Sequence, residues 1–181
     1  MKIRLSKESD RTAIDGIHMS AFGQQEGLEI VELVNDLLED ETAKPLLSLV
    51  AEKDGKLVGH ILFTTARLQP DNQESTIRIL APLAVSREVQ GEGVGGELTR
   101  EGLRQLAESG VDLVFVLGHP DYYPRFGFQT AGILGFEAPY TIPPEHADAW
   151  MVQELKTGGL ASNGGKIQCS EVLNQPQHWR E

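Results

Sequence analysis

Three features are scarce in this 181-residue sequence, and each shortage excludes a class of protein. The single cysteine, Cys169, excludes an intramolecular disulfide framework and any cysteine-based metal cluster. Lys and Arg number 16 against 27 Asp and Glu, and the resulting net charge of −11 disfavours nucleic-acid binding, which needs clustered positive charge. No apolar run approaches the ~20 residues that a membrane span requires. We therefore expect no nucleic-acid partner and no membrane segment.

What the sequence does contain is typical of a globular protein. It is 40% hydrophobic and 24% charged, and its length suffices for one domain with a full core. The N-terminus carries Arg4, Glu8 and Asp10, which is unlike a signal peptide. The five histidines show no metal-ligand spacing with Cys169. We expect a single domain over residues 1–181, a cytoplasmic location and no bound metal.

Four glycines are concentrated at residues 91–96, between a strand pattern and a helix pattern. The strand pattern ends at Val85, and the helix pattern over residues 94–109 repeats apolar residues on one side. Backbone N–H groups at the positive end of a helix dipole bind phosphate, and glycine lets a ligand approach the main chain closely. The stretch therefore predicts a phosphate-bearing ligand held by main-chain amides.

Two other interpretations of the glycines have to be weighed. The pattern Gly91-x-Gly93-x-x-Gly96 satisfies the dinucleotide fingerprint, and Asp112 lies near the expected distance for its ribose-binding acid. However, five residues separate the strand from Gly91, Asp112 precedes the apolar strand instead of closing it, and too little chain follows for further βα units. An NAD-dependent oxidoreductase is thus the less favoured function, and an ordinary glycine-rich turn is the third possibility.

Hydrophobic periodicity predicts the element order β-α-α-β-β-β-α-β-α-β. The first helical stretch, capped by Ser9 or Asp10, should break at residues 23–25, and Asp54-Gly55 should form a hairpin turn. Pro82 lies inside a predicted strand, where proline typically marks a bulge or a place where strands part. The predicted strands are residues 2–6, 47–52, 57–68, 75–85 and 113–117, a strand that Phe128 leads into after a short helix, and residues 150–155 and 166–170; predicted turns or loops are 70–72, 158–159 and 163–165.

Two motifs in this order resemble those of one enzyme superfamily. Gln90-x-x-Gly93-x-Gly95 resembles the pyrophosphate loop of the GNAT acyl-CoA N-acyltransferases, and Tyr123-x-x-x-Gly127-Phe128 is similar to a motif after their fifth strand. Residues 116–128 also resemble a GNAT subgroup of unassigned substrate. The resemblance covers about residues 3–131 and implies an α/β fold, with a mostly antiparallel sheet splayed between strands 4 and 5 and helices on both faces. Residues 132–181 would be a C-terminal extension.

The resemblance also implies a cofactor, acetyl-CoA, and a reaction. An acetyl or other short acyl group would pass directly to a primary amine within a ternary complex. The main-chain N–H of Leu83 would polarise the thioester carbonyl, and the Tyr123 phenol would protonate the leaving thiolate, with Tyr122 beside it a packing residue. The implied cofactor-binding residues are Leu83, Ala84, Val85, Val89, Gln90, Gly91, Glu92, Gly93, Val94, Gly95, Gly96, Tyr123 and Phe126.

The general base is harder to assign. The acceptor amine is protonated at neutral pH, and removing its proton costs about 4–5 kcal/mol. A base or a water chain is therefore expected. Ile79 stands where some relatives have a carboxylate. His119 is the first candidate, with a purely structural loop histidine as the alternative, and Glu26 or Glu29 follow. His60 should be a hydrogen-bonded core or groove histidine.

Some alternatives stay open at the level of sequence. Without a carboxylate at position 79, the chain could be a catalytically silent acyl-CoA sensor. The acceptor could be a small-molecule amine, such as a polyamine, aminoglycoside or amino acid, or a protein N-terminus. Cys169 is not expected to act as a nucleophile, because direct transfer needs none. The protein could be a monomer or a homodimer.

Overall fold

The computed structural model describes residues 1–69, 75–161 and 164–180. In these residues nine strands form one sheet, and two α-helices pack on it. The predicted turn at 70–72 and Asn163 of a predicted loop lie outside these residues. The elements are β1 (Lys2–Leu5), α1 (Arg11–Glu39), β2 (Leu47–Lys53), β3 (Lys56–Gln69), β4 (Ile77–Val85), α2 (Val94–Glu108), β5 (Leu113–Leu117), β6 (Gln129–Thr130), β7 (Phe136–Glu137), β8 (Trp150–Glu154) and β9 (Gly165–Gln168).

The sheet is mixed, as the sequence predicted. Its main path runs β1-β2-β3-β4-β5-β8-β6, and β9 pairs with the distal part of β3. Strands β1 to β4 form an antiparallel meander. Between β4 and β5 the pairing is parallel, because α2 carries the chain back across the sheet.

The two helices cover opposite faces of the sheet, which confirms the predicted layering. Leu62 of β3 belongs to the apolar cluster that contains Leu33 and Leu37 of α1. Its neighbour Phe63 points the other way and packs with Leu98 and other α2 residues. The fit there is close, because a Cβ at Gly102 would lie 2.4 Å from the Phe63 ring.

The long helical segment α1 is interrupted at Gly23, where the sequence predicted a break. Gly23 has φ 83° and ψ 176°, a conformation that glycine adopts without a steric penalty. The helix before it therefore ends at Phe22, and the helix after it starts in a new direction.

Strands β4 and β5 part halfway along β4. Their register runs from Ile77 opposite Leu113 to Leu80 opposite Val116, while β4 itself continues to Val85. At the same point β4 bulges against β3: Phe63 pairs with Leu80 and Ile61 with Leu83, which leaves one extra β4 residue around Pro82. Both the predicted bulge and the predicted splay between strands 4 and 5 are thus confirmed.

The C-terminal third completes the sheet and its core. Strand β8 lies between β5 and β6, and Trp150 stacks on Phe115 with ring centroids 5.1 Å apart. The Trp150 indole N–H donates to the Phe136 carbonyl at 2.9 Å, and Trp179 packs edge-on against Trp150. In the described residues, neither helix combines the length and the apolar character needed to cross a membrane.

Candidate active site

A cavity of about 520 Å³ opens where β4 and β5 part, at the N-terminus of α2. The end of β4, the glycine-rich loop and the turn after β5 all contribute to its lining. The lining residues are Ala21, Phe22, Leu83, Ala84, Val85, Val89, Gln90, Gly91, Gly93, Val94, Gly95, Gly96, Arg100, Tyr122, Arg125 and Phe126.

The glycine-rich loop lines this cavity at the start of α2. Gly91 and Gly93 have φ of 85° and 86°, in the left-handed region that glycine occupies cheaply. Gly93 precedes the first residue of α2, and the first helical bond runs from the Glu97 N–H to the Gly93 carbonyl. N–H groups of the first helical turn have no intrahelical partner, so the site offers donors and a positive dipole end to an anion.

The side chain of Gln90 closes the loop. Its Nε2 donates to the Val85 carbonyl at 3.0 Å, which ties the loop to the end of β4. The glutamine of the motif thus stabilises the glycine-rich loop through this hydrogen bond to β4.

Two glycines at the start of α2 lie close to side chains of the cavity wall. A Cβ at Gly95 would lie 2.7 Å from the Tyr122 hydroxyl, and one at Gly96 would lie 3.1 Å from Arg100 Nη1. Burial raises the pKa of Tyr122, whose hydroxyl hydrogen bonds with Thr99 of α2. Tyr122 therefore lies at the helix end of the cavity.

Tyr123, the next residue, does not line the cavity. Its ring is buried, and a Cβ at Gly118, the first residue after β5, would be 2.4 Å from the Tyr123 ring carbon Cε2. The rings of Tyr122 and Tyr123 meet edge to face with centroids 5.0 Å apart. Of the two adjacent tyrosines, Tyr122 lines the cavity and Tyr123 packs on Gly118 at the end of β5.

The structure brings together most of the residues that the sequence nominated, with three exceptions. Every nominated cofactor-binding residue lines the cavity except Glu92 and Tyr123. The Glu92 carboxylate instead pairs with Lys53. His119 does not line the cavity either: 71% of its side chain is exposed, and its Nδ1 accepts the Asp121 N–H at 3.2 Å.

No described residue that lines the cavity is an acid or a histidine, so the lining provides no side-chain base. Glu26 and Glu29 are exposed and lie outside the lining, and Ile79 is buried in the core.

Sequence reasoning did not assign five of the lining residues to the cofactor site: Ala21, Phe22, Arg100, Tyr122 and Arg125. Arg100 lies one helical turn after Gly96, and Arg125 lies inside the Tyr-x-x-x-Gly-Phe motif, so both could have been found from spacing. Ala21 and Phe22 had no local signal, because tertiary packing brings them to the cavity.

A buried histidine pair lies behind the cavity wall. His18 Nε2 is 2.9 Å from His60 Nδ1, and His60 Nε2 is 2.8 Å from the Ser48 hydroxyl. His18 stacks on the cavity residue Phe22, and His60 is the strand partner of the cavity residue Ala84. His60 is thus the hydrogen-bonded core histidine that the sequence predicted. Burial lowers the pKa of His18 to about 4 and that of His60 to about 3, so both are neutral at pH 7.

This pair makes folding stability depend on pH. The pKa values in the folded protein lie below the ordinary 6.5, so the unfolded chain binds more protons at mildly acidic pH. Stability is therefore full above about pH 6.5 and falls on acidification, by about 2 kcal/mol per histidine between pH 7 and pH 5. Urea unfolding at the two pH values measures the loss.

Two variants separate this effect from general acid destabilisation. His60→Gln should reduce the pH dependence, because one low-pKa group is gone, whereas His119→Gln at the exposed site should leave it unchanged. An identical loss of stability in wild type and His60→Gln would contradict the assignment.

A mixed sheet that opens between two parallel strands, with a glycine-rich helix start at the opening, defines an acyltransferase fold. The family model described as "Acetyltransferase (GNAT) domain" matches residues 2–131. The chain belongs to the GNAT acetyltransferase family.

Individual relatives cover nearly the whole chain. Uncharacterized N-acetyltransferase YjhQ of Escherichia coli K12 is 46% identical over 92% of this chain and 91% of its own length. The crystal structure of Escherichia coli YhbS in complex with CoA superposes with a TM-score of 0.84 at 31% identity, covering 96% of this chain and 92% of that one. A Brucella melitensis GNAT acetyltransferase in complex with acetyl-CoA gives 0.74 at 28% identity, covering 95% and 97%.

Proposed function

We propose that the protein transfers an acetyl or short acyl group from acetyl-CoA to a primary amine. The observation that carries this proposal is the glycine cradle of residues 91–96, whose four glycines line the cavity between β4 and β5. The CoA and acetyl-CoA complexes of the YhbS and Brucella melitensis proteins support the choice of cofactor.

The residues present fit this cofactor. Gly95 and Gly96 leave room that any side chain would fill, and no described lining residue is acidic. Amides of residues 91–96 would hold the diphosphate, and residues 83–85 would lie along the pantetheine arm. Acetyl-CoA supplies a thioester, an acyl group already activated for attack by an amine.

The bulged end of β4 would polarise the thioester carbonyl. Leu83 adjoins the extra residue of the bulge and lines the cavity, so its main-chain N–H is the proposed oxyanion donor. One such donor is typically worth roughly 3–4 kcal/mol of transition-state stabilisation. Because the donor is main chain, a side-chain substitution at Leu83 should leave it in place.

Proton movements would involve Tyr123 and water. The Tyr123 ring lies against Gly118 at the end of β5, near where the strands part, and its phenol is the proposed acid for the leaving thiolate. The amine must lose a proton, and the described cavity lining holds no carboxylate or imidazole to take it. We infer that water in the cavity carries this proton to solvent.

A catalytically silent acyl-CoA sensor is the second candidate function. The observation in its favour is that Ile79 is buried at the position of the carboxylate base in some relatives. Such a sensor would bind CoA through the same cradle and would not turn it over.

Thiol release from acetyl-CoA distinguishes the two. The assay uses a thiol-reactive dye and four amines: a polyamine, an aminoglycoside, an amino acid and a peptide with a free N-terminus. Amine-dependent release supports the acetyltransferase. Tight binding of CoA without release for any amine supports the sensor.

The amine that gives the fastest thiol release in this panel would identify the class of acceptor. A cytoplasmic location and a monomeric or homodimeric state stay predictions from the sequence.

A further inference from the structure

Two arginines stand out in the cavity. Among the described residues that line it, they are the only ones with a charged side chain. Arg100 comes from α2, and Arg125 from the short helical turn Tyr123–Phe126 after β5. The chain as a whole carries a net charge of −11. The cavity therefore carries positive charge although the chain as a whole is negative. Such a local positive charge favours an anionic ligand.

The acidic side chains of the adjoining loop are neutralised by lysines from the β2–β3 hairpin. Glu88 pairs with Lys56 at 2.7 Å, and Glu92 pairs with Lys53. By contrast, neither Arg100 nor Arg125 forms an ion pair with any carboxylate of residues 1–69, 75–161 or 164–180. The local arrangement thus leaves two guanidinium charges uncompensated.

Aromatic rings of the cavity wall hold both guanidinium groups. The Arg125 guanidinium lies 4.8 Å from the Tyr122 ring centroid, and its Nε donates to the Tyr122 carbonyl at 3.0 Å. The Arg100 guanidinium lies 5.1 Å from the Phe126 ring centroid. A stacked guanidinium keeps N–H groups at its edge available, and its planar fork matches the oxygens of a phosphate.

We propose that Arg100 and Arg125 form a second anion subsite that binds the 3′-phosphate of coenzyme A. This inference rests on the proposed function, in which main-chain amides of residues 91–96 hold the diphosphate. The remaining phosphate of the cofactor is a monoester, which carries a charge of about −1.5 to −2 at neutral pH. Two guanidinium groups without an ion pair in the described residues match that charge, so the subsite makes the protein selective for the 3′-phosphorylated cofactor.

Calorimetric titration with CoA and with 3′-dephospho-CoA tests the subsite without any acceptor amine. The variants are Arg100→Gln, Arg125→Gln and the double variant. Arg104→Gln is the matched control, because Arg104 lies one turn further along α2, outside the cavity lining, and pairs with Glu101 and Glu108. It removes the same charge from the same helix.

Wild type is expected to bind CoA about tenfold or more tightly than dephospho-CoA, as for a charge-assisted phosphate contact. The double variant should bind CoA about as weakly as dephospho-CoA, with its affinity for dephospho-CoA within about threefold of wild type. Arg104→Gln should behave like wild type.

Three results would overturn the subsite. Equal losses for both ligands would mean that the arginines serve the diphosphate or the fold. Equal affinity of wild type for both ligands would mean that no 3′-phosphate subsite exists. Failure of wild type to bind either ligand would instead overturn the proposed function, and this inference with it.

Discussion

Replacing Gly93 by Asp is expected to weaken CoA binding by about a hundredfold or more, the largest effect predicted for the cofactor site. Gly93 has φ 86° and immediately precedes α2. An Asp there would be strained by about 1–2 kcal/mol. Its carboxylate would also accept hydrogen bonds from the first-turn amides and would repel the phosphate. Calorimetric titration with CoA measures the loss.

A matched control separates strain from the loss of the amide donors. Gly110 follows the C-terminal end of α2 with φ 93°, and a Cβ built there meets no atom within 4 Å, so Gly110→Asp introduces comparable strain away from the cavity. That variant should keep its CoA affinity even if its melting temperature falls. A Gly93→Asp protein that bound CoA like wild type would contradict the proposal that main-chain amides of residues 91–96 bind the diphosphate.

Replacing Tyr123 by Phe is expected to lower kcat by about tenfold or more, the usual contribution of a general acid. The substitution keeps the buried ring that packs on Gly118 and removes only the hydroxyl. Cofactor affinity should stay within about twofold of wild type, because ground-state binding loses no contact. Steady-state kinetics with an amine from the thiol-release assay and titration with CoA give the two quantities.

Tyr122→Phe is the companion variant, since it removes the neighbouring hydroxyl. Tyr122 lies beside Gly95 and hydrogen bonds with Thr99 at the helix end of the cavity, so its loss should alter CoA affinity more than kcat. Unchanged turnover in Tyr123→Phe would exclude the acid role. A fall in kcat confined to Tyr122→Phe would transfer that role to Tyr122.

Features encoded locally could be predicted from the sequence. Gly91 and Gly93 have left-handed backbone, which residues with a side chain rarely adopt, so the glycine-rich loop was visible as a motif. Gly23 and Pro82 act in the same way: one interrupts α1, and the other lies in the β4 bulge that precedes the gap. Glycine permits, and proline restricts, particular backbone conformations at its own position, so no distant contact is needed to recognise the effect.

Features that depend on distant contacts could not be predicted in the same way. His18 and His60 hydrogen bond across 42 residues of chain, and only the packing of α1 on β3 brings them together. Phe22 reaches the cavity through the same packing. His119 was nominated because it follows β5, yet its side chain points to solvent, an orientation that sequence position does not determine.

The most direct test of the central claim is a crystal structure of this protein with coenzyme A. The account predicts diphosphate oxygens about 3 Å from main-chain nitrogens of residues 91–96. It also predicts the pantetheine arm beside residues 83–85, with the sulfur in the opening between β4 and β5. A diphosphate bound elsewhere, with those amides facing away from it, would contradict the account.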